Sequence, residues 1–209
     1  MLAACAAKTP PDHSADSAHH SFQDVEKWAP IFDAPDRDEW QRPDEVVTLL
    51  QVLEGQTVAD IGTGTGYFLP HLSKVVGPNG KVLALDTEMA MVRYVNDRVQ
   101  KQQLTNVEAR SVEQDDPKLP LGSVDRVLIV DTWHHISGRE AYAAKLKQGL
   151  ADKGVVLIVE FTPETSKGPP AEMKVTAEQV KKELDAAGLQ AEIVTEALPD
   201  QFVVRARRT

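Results

Sequence analysis

The stretch Val58-Ala-Asp-Ile-Gly-Thr-Gly-Thr-Gly-Tyr-Phe68 sets a short apolar run with one acid, Asp60, ahead of three glycines at alternate positions, Gly62, Gly64 and Gly66. The run reads as a buried strand. The glycines let the chain turn tightly into a helix and bring backbone N–H groups against a ligand with no Cβ in the way. A dinucleotide fingerprint would read G-x-G-x-x-G, whereas this loop reads G-x-G-x-G, and Tyr67 stands where the third glycine belongs. No Gly-Lys-Ser/Thr follows, so the loop is not a P-loop either.

Asp60 narrows the choice of ligand. A carboxylate two residues before the first glycine repels a pyrophosphate and attracts an ammonium group. Asp86 closes the next apolar run, "KVLALD", about 20 positions after the last glycine, where a carboxylate can accept both hydroxyls of a ribose. An amine and a ribose without a phosphate describe S-adenosylmethionine.

Working outward, β-branched runs alternate with helical patterns. "TVADI", "KVLALD", "NVEARSV", "VDRVLIVD" and "GVVLIVEF" read as strands mostly buried on both faces, with helices between them. Ser137 with Glu140, and Thr176 with Gln179, have capping-box spacing, and Gly188 can close the second of these helices. "LQAEIVTEAL" and "DQFVVRAR" have no helix between them and read as an antiparallel hairpin at a sheet edge. Before the glycine loop, "DVEKWAPIFD" and "PDEVVTLLQVL" give two helices within residues 23–54. The expectation is an α/β, Rossmann-like fold: a seven-stranded, mostly parallel sheet with helices on both faces and an N-terminal helical lid.

The whole chain of 209 residues suits one such domain over residues 23–209, preceded by a loose tether over residues 1–22. That tether is rich in Pro, Ser, His and Asp, too polar to offset the entropy of ordering, and its histidines His13, His19 and His20 lack the supporting shell that fixes metal ligands. No metal site is expected. The single cysteine, Cys5, follows Leu2-Ala3-Ala4, which resembles the end of a bacterial lipoprotein signal. Two readings stand: a lipid anchor at Cys5 if the true start lies upstream, with the protein in the cell envelope, or an alanine-rich tail of a cytoplasmic protein. No apolar stretch approaches a membrane span. With 23 Lys and Arg against 32 Asp and Glu, the net charge of −9 disfavours a nucleic-acid partner.

Taken together, these motifs resemble the class I methyltransferases that use S-adenosylmethionine. Their first motif stands here as "VADIGTGTG" and the acid ending their second strand as "ALD". "DDPKLPLGSVDRVLIVDTWHHI", from Asp115 to Ile136, is similar to the loop, fourth strand and following turn of the small-molecule branch. Trp40-Gln41-Arg42-Pro43 and Gly168-Pro169-Pro170 are similar to the "W-Q-x-P" and "GPP" of a bacterial group of predicted methyltransferases, and the resemblance runs from about Gln23 to Arg208.

The resemblance implies that Gly62, Thr63, Gly64 and Gly66 shape the place of the cofactor's methionine part, and that Asp60 holds its amine directly or through water. Asp86 would clasp the ribose beside Thr87 and Glu88, while Ser111, Val112 and Glu113 would border the adenine. Asp131 would sit nearest the departing methyl group. His134 is a candidate base, since a free imidazole titrates near neutrality, and His135 is expected to pack under the turn. Trp28 and Phe32 are expected in core packing, with Trp40 facing the site, and Phe161, Pro169, Pro170 and Gln201 bordering the acceptor.

The function implied is methyl transfer to a small-molecule acceptor. "DTWHHI" lacks the Pro-Pro-Tyr pattern of DNA adenine methylation. The alternatives are an envelope-tethered module that binds the cofactor without turnover, and a nicotinamide-dependent oxidoreductase, which Tyr67 and Asp60 oppose.

Overall fold

The structure, a computed structural model, describes residues 22–195 and 198–208. Cys5, His13, His19 and His20 lie outside the described residues.

Seven strands form a single sheet: β1 Thr57–Ile61, β2 Lys81–Asp86, β3 Val107–Ser111, β4 Val124–Val130, β5 Leu150–Phe161, β6 Gln190–Val194 and β7 Gln201–Arg207. Their spatial order is β3-β2-β1-β4-β5-β7-β6. β7 pairs antiparallel with both β5 and β6, and the remaining pairs are parallel. The expected hairpin is therefore present, and its second strand lies inside the sheet while its first forms the edge.

The inner strands read as near-continuous apolar runs because each is covered on both faces. One face packs α3 Pro43–Leu50, α4 Leu69–Val76 and α5 Met89–Lys101 onto Val58, Val82, Leu128 and Leu157. The other packs α6 Arg139–Gly149 and α7 Ala177–Ala186 onto Ile61, Leu83, Ile129 and Ile158. β3 departs from the sequence expectation: its residues are half-buried or exposed because it is an edge, and Glu108 ties Lys81 of β2 to Arg110 of its own strand. Charges along an exposed strand discourage further pairing.

Among the described residues three helices precede the loop instead of two. Between α1 Val25–Phe32 and α3 lies the five-residue α2 Arg37–Gln41. Arg42, in the left-handed region with φ 47°, ends α2 and admits Pro43 as the first residue of α3. The caps also divide. Thr176 caps α7 by accepting the Gln179 N–H, and Gly188 closes it: Gly188 and Leu189 donate to the carbonyls of Asp185 and Leu184, the pattern of a Schellman end. Ser137 caps nothing; α6 starts one residue later, after Gly138 at φ 63°.

Candidate active site

Strand order reverses between β1 and β4: the chain crosses over one face from β1 to β2 and over the other from β4 to β5, which leaves a crevice at the ends of these strands. A cavity of about 730 Å³ opens at the carboxyl ends of these strands. That is ample for a drug-sized ligand.

The glycine loop forms its floor. Gly62 (φ 70°) and Gly64 (φ 55°) line the cavity in backbone geometry that side chains disfavour. A Cβ on Gly62 would fall 2.3 Å from Thr132 Oγ1, so the loops after β1 and β4 touch through a missing side chain. Gly66 has a different task. It is not part of the wall, and a Cβ there would meet Leu69 at 2.6 Å; it lets the chain pack closely as it enters α4.

Asp60 also lies behind the wall. It is buried, and its Oδ2 accepts the Thr63 hydroxyl at 2.7 Å, while Thr63 faces the cavity. Burial, only partly offset by that hydrogen bond and by Arg37, lifts the Asp60 carboxyl to about 6. Asp86 does line the cavity. Its Oδ2 accepts the Gly64 N–H at 2.8 Å and its Oδ1 the Glu88 N–H at 2.9 Å, so the acid that ends β2 fixes the loop that follows β1. Burial raises the Asp86 carboxyl, and the two backbone donors pull against that. Thr87, Glu88, Val112, Glu113 and Gln114 continue the wall on this side. Val112 is fixed by its N–H to the Asp86 carbonyl at 3.0 Å.

Beyond β4 the backbone turns sharply. Asp131 adopts φ 49°, a conformation that a non-glycine residue holds only when its surroundings dictate it. Its Oδ1 accepts from Gln201 Nε2 at 2.7 Å, Gln201 accepts from Gln41 Nε2 at 2.7 Å, and Gln41 accepts from Arg37 Nη2 at 3.2 Å. This chain of side chains joins the β4 end, β7 and the α2 lid. Burial, reinforced by the neighbouring Glu160, holds the Asp131 carboxyl well above the usual carboxylate range. Arg37 reaches over the glycine loop, its guanidinium 3.9 Å from the centre of the Tyr67 ring, and donates to the Phe32 carbonyl at 2.5 Å. Its buried Nε has no hydrogen-bond partner among the described residues.

His134 lines the cavity, with its Nδ1 2.8 Å from Glu160 Oε2. The residue packed beneath this turn is Trp133, whose Nε1 donates to Glu183 at 2.8 Å, and not His135, which faces the cavity with its ring 5.5 Å from Phe22. Trp28 and Phe32 are likewise cavity walls, not core: they stack at 5.7 Å. Trp40 faces the cavity as expected and packs on Phe161 at 5.6 Å. Pro169 and Pro170 line the same end, and Gln201 serves it from behind by holding Asp131.

Sequence reasoning missed Arg37, Gln114 and Glu160. Glu160 carried the same signal as Asp60, a single acid in an otherwise apolar strand; Arg37 sits in the polar run "DRDEWQ" and carried none. Among the described residues no cluster of His, Cys, Asp or Glu suits a metal ion, and no helix is long and apolar enough to cross a membrane.

A crystal structure described as a SAM-dependent methyltransferase from Aquifex aeolicus superposes with a TM-score of 0.83 at 33% identity, covering 90% of this chain and 99% of that one. The chain belongs to the class I S-adenosylmethionine-dependent methyltransferases. Residues 58–154 match a methyltransferase domain model. The ubiquinone/menaquinone biosynthesis C-methyltransferase UbiE of Pseudomonas putida is 30% identical over 131 residues, 61% of this chain and 50% of that protein. An (S)-coclaurine N-methyltransferase of Thalictrum flavum subsp. glaucum is 25% identical over 108 residues, 52% of this chain and 29% of that protein. The chain thus spans half or less of the length of these two relatives.

The cofactor of this family is S-adenosylmethionine, and the wall suits it. A ribose would find an acceptor in Asp86, whose oxygens each use one lone pair on a backbone N–H. Arg37 also lines the cavity, and its charge would suit a carboxylate.

Proposed function

We propose that this protein transfers the methyl group of S-adenosylmethionine to a small-molecule acceptor bound under the N-terminal helices. The observation that carries the reading is a single cavity whose lining combines the glycine loop, Asp86 and Val112–Gln114 with Phe22, Trp28, Trp40, Phe161 and Pro169, together with Asp131 and His134.

When bound, the cofactor supplies an electrophilic methyl group on a sulfonium, which leaves as a neutral thioether. The protein's residues do the rest. Asp86 and the loop N–H groups orient the nucleoside. Arg37 holds the carboxylate, and Asp60 favours the positive end of the amino acid through its charge and through Thr63. The aromatic walls and the α1–α2 lid exclude water and fix the acceptor, and alignment supplies much of the acceleration. His134 is placed to take the acceptor's proton. The aromatic and proline residues of the lining fit a small planar molecule better than a protein segment.

Calorimetric titration tests the cofactor half. S-adenosylmethionine and S-adenosylhomocysteine should bind and NAD should not. Asp86→Ala should weaken binding by about 1 to 3 kcal/mol, the cost of leaving polar partners unpaired. Unchanged affinity in this variant would place the cofactor elsewhere. For turnover, methyl-labelled donor is incubated with metabolites from the native organism; label that never leaves the donor would instead support a binding module.

A further inference from the structure

Both oxygens of Glu160 are directed at one residue. Oε1 accepts the backbone N–H of His134 at 3.2 Å, and Oε2 lies 2.8 Å from its Nδ1. Both side chains are almost wholly enclosed, Glu160 at 2% exposure and His134 at 3%. A carboxylate accepts, so the ring nitrogen facing it carries the proton, and in the neutral imidazole Nε2 is then the bare nitrogen. His134 belongs to the cavity wall. Beside it stand His135, whose ring centre is 4.0 Å away, and, across Glu160, the Asp131 carboxyl at the end of β4, which itself feels Arg37 of α2.

Packing does not call for an acid at this position. Glu160 interrupts the apolar run of β5 and places a second carboxyl beside Asp131, an arrangement that costs stability. A buried acid that fixes a histidine by ring and backbone together is instead the arrangement that orients a base and balances the imidazolium once formed.

We propose that Glu160 is the positioning residue of a His134 general base, and that the acceptor is a hydroxyl group. The proposal rests on the methyl-transfer reading above. An amine attacks with a free lone pair and sheds its proton afterwards, whereas a hydroxyl becomes a competent nucleophile as its proton leaves. As the acceptor oxygen forms its bond to the methyl carbon, its proton passes to His134 Nε2. The carbon–sulfur electron pair stays on sulfur, and the imidazolium, balanced by Glu160, later gives the proton to water. The product is a methyl ether.

The test uses the full chain labelled with ¹⁵N-histidine. Long-range ¹H–¹⁵N spectra, with His134 assigned through His134→Asn, should show the Nδ1–H tautomer in the wild type. Glu160→Gln, whose amide can donate as well as accept, should move His134 toward the Nε2–H form. With ¹³C-methyl donor and a metabolite extract, the wild type should yield a ¹³C signal in the methoxy region. Glu160→Gln should lower kcat about tenfold or more while KM for the donor stays within about twofold, and Glu160→Asp should recover part of the loss. An Nε2–H tautomer in the wild type overturns the proposal however the variant folds. So does a methyl delivered to nitrogen, sulfur or carbon, or turnover that survives Glu160→Gln. Donor binding with no label transferred refutes the methyl-transfer reading as well; transfer that survives the substitution refutes the role of Glu160 alone.

Discussion

Asp60 is a buried acid whose ionisation opposes folding. Its carboxyl titrates near 6 in the folded chain, above the 3.8 of a free aspartate, so the native state holds this proton more tightly than the unfolded state. Stability from this group is greatest below about pH 4 and is lost as pH rises through 6, by about 3 kcal/mol, since each tenfold difference in proton affinity is worth about 1.4 kcal/mol. Asp60→Asn has no proton to lose. Urea unfolding of the wild type and the variant across pH 4 to 7 should therefore show a difference that grows in favour of the asparagine. Gly62 is constrained by contact instead of charge: in Gly62→Ala the new Cβ overlaps Thr132 in a left-handed backbone position. A loss of about 2 to 5 kcal/mol is expected in the same measurement, from backbone strain plus overpacking. The requirements at Asp60, Asp86 and the glycines are local, a turn and a charge beside it, and that made them legible in the sequence. Arg37 and Gln201 acquire their roles through partners far along the chain, Tyr67 for one and Gln41 with Asp131 for the other, and no spacing announces them. Trp28 and Phe32 were misread for a related reason: an aromatic stripe at helical spacing looks the same whether it faces a core or a cavity.

Element boundaries follow from caps, and the caps explain which were legible. Thr176 and Gly188 bracket α7 as the sequence indicates, the threonine accepting from Gln179 N at 3.2 Å. Thr176→Ala should cost about 1 kcal/mol, read as a lowered urea midpoint at unchanged slope. The Gln179 side chain does not return to the Thr176 N–H; it donates to Glu183 at 3.1 Å, which also accepts from Arg139 and Trp133. The second half of the capping box thus yields to a tertiary network that anchors the turn after β4. At α6 the Ser137 signal fails because Gly138 can turn the chain in the left-handed region without a side-chain cap. The five-residue α2 escaped notice because so short a helix has no periodicity to read. It matters nonetheless, since it carries Arg37 and Trp40 to the cavity.

On the scale of the molecule, strand type and order were the most legible features, because a sheet covered on both faces leaves runs such as "VDRVLIV" and "GVVLIVEF" little freedom to be anything else. The interior position of β7 was not legible: a hairpin at an edge reads the same whichever of its strands is outermost. Ending the chain before Gln201 would remove the partner of both β5 and β6 as well as the hydrogen bond to Asp131. Such a truncation should lose cooperative thermal unfolding in calorimetry as well as cofactor binding. During synthesis the consequence is one of order. Translation delivers β6 before the strand that must slot between it and β5, so a nascent chain can assemble the glycine loop and the first five strands early, yet holds an open seam. Only when β7 emerges and inserts does Gln201 arrive to secure Asp131, so the crevice is finished by the last of the described strands to leave the ribosome.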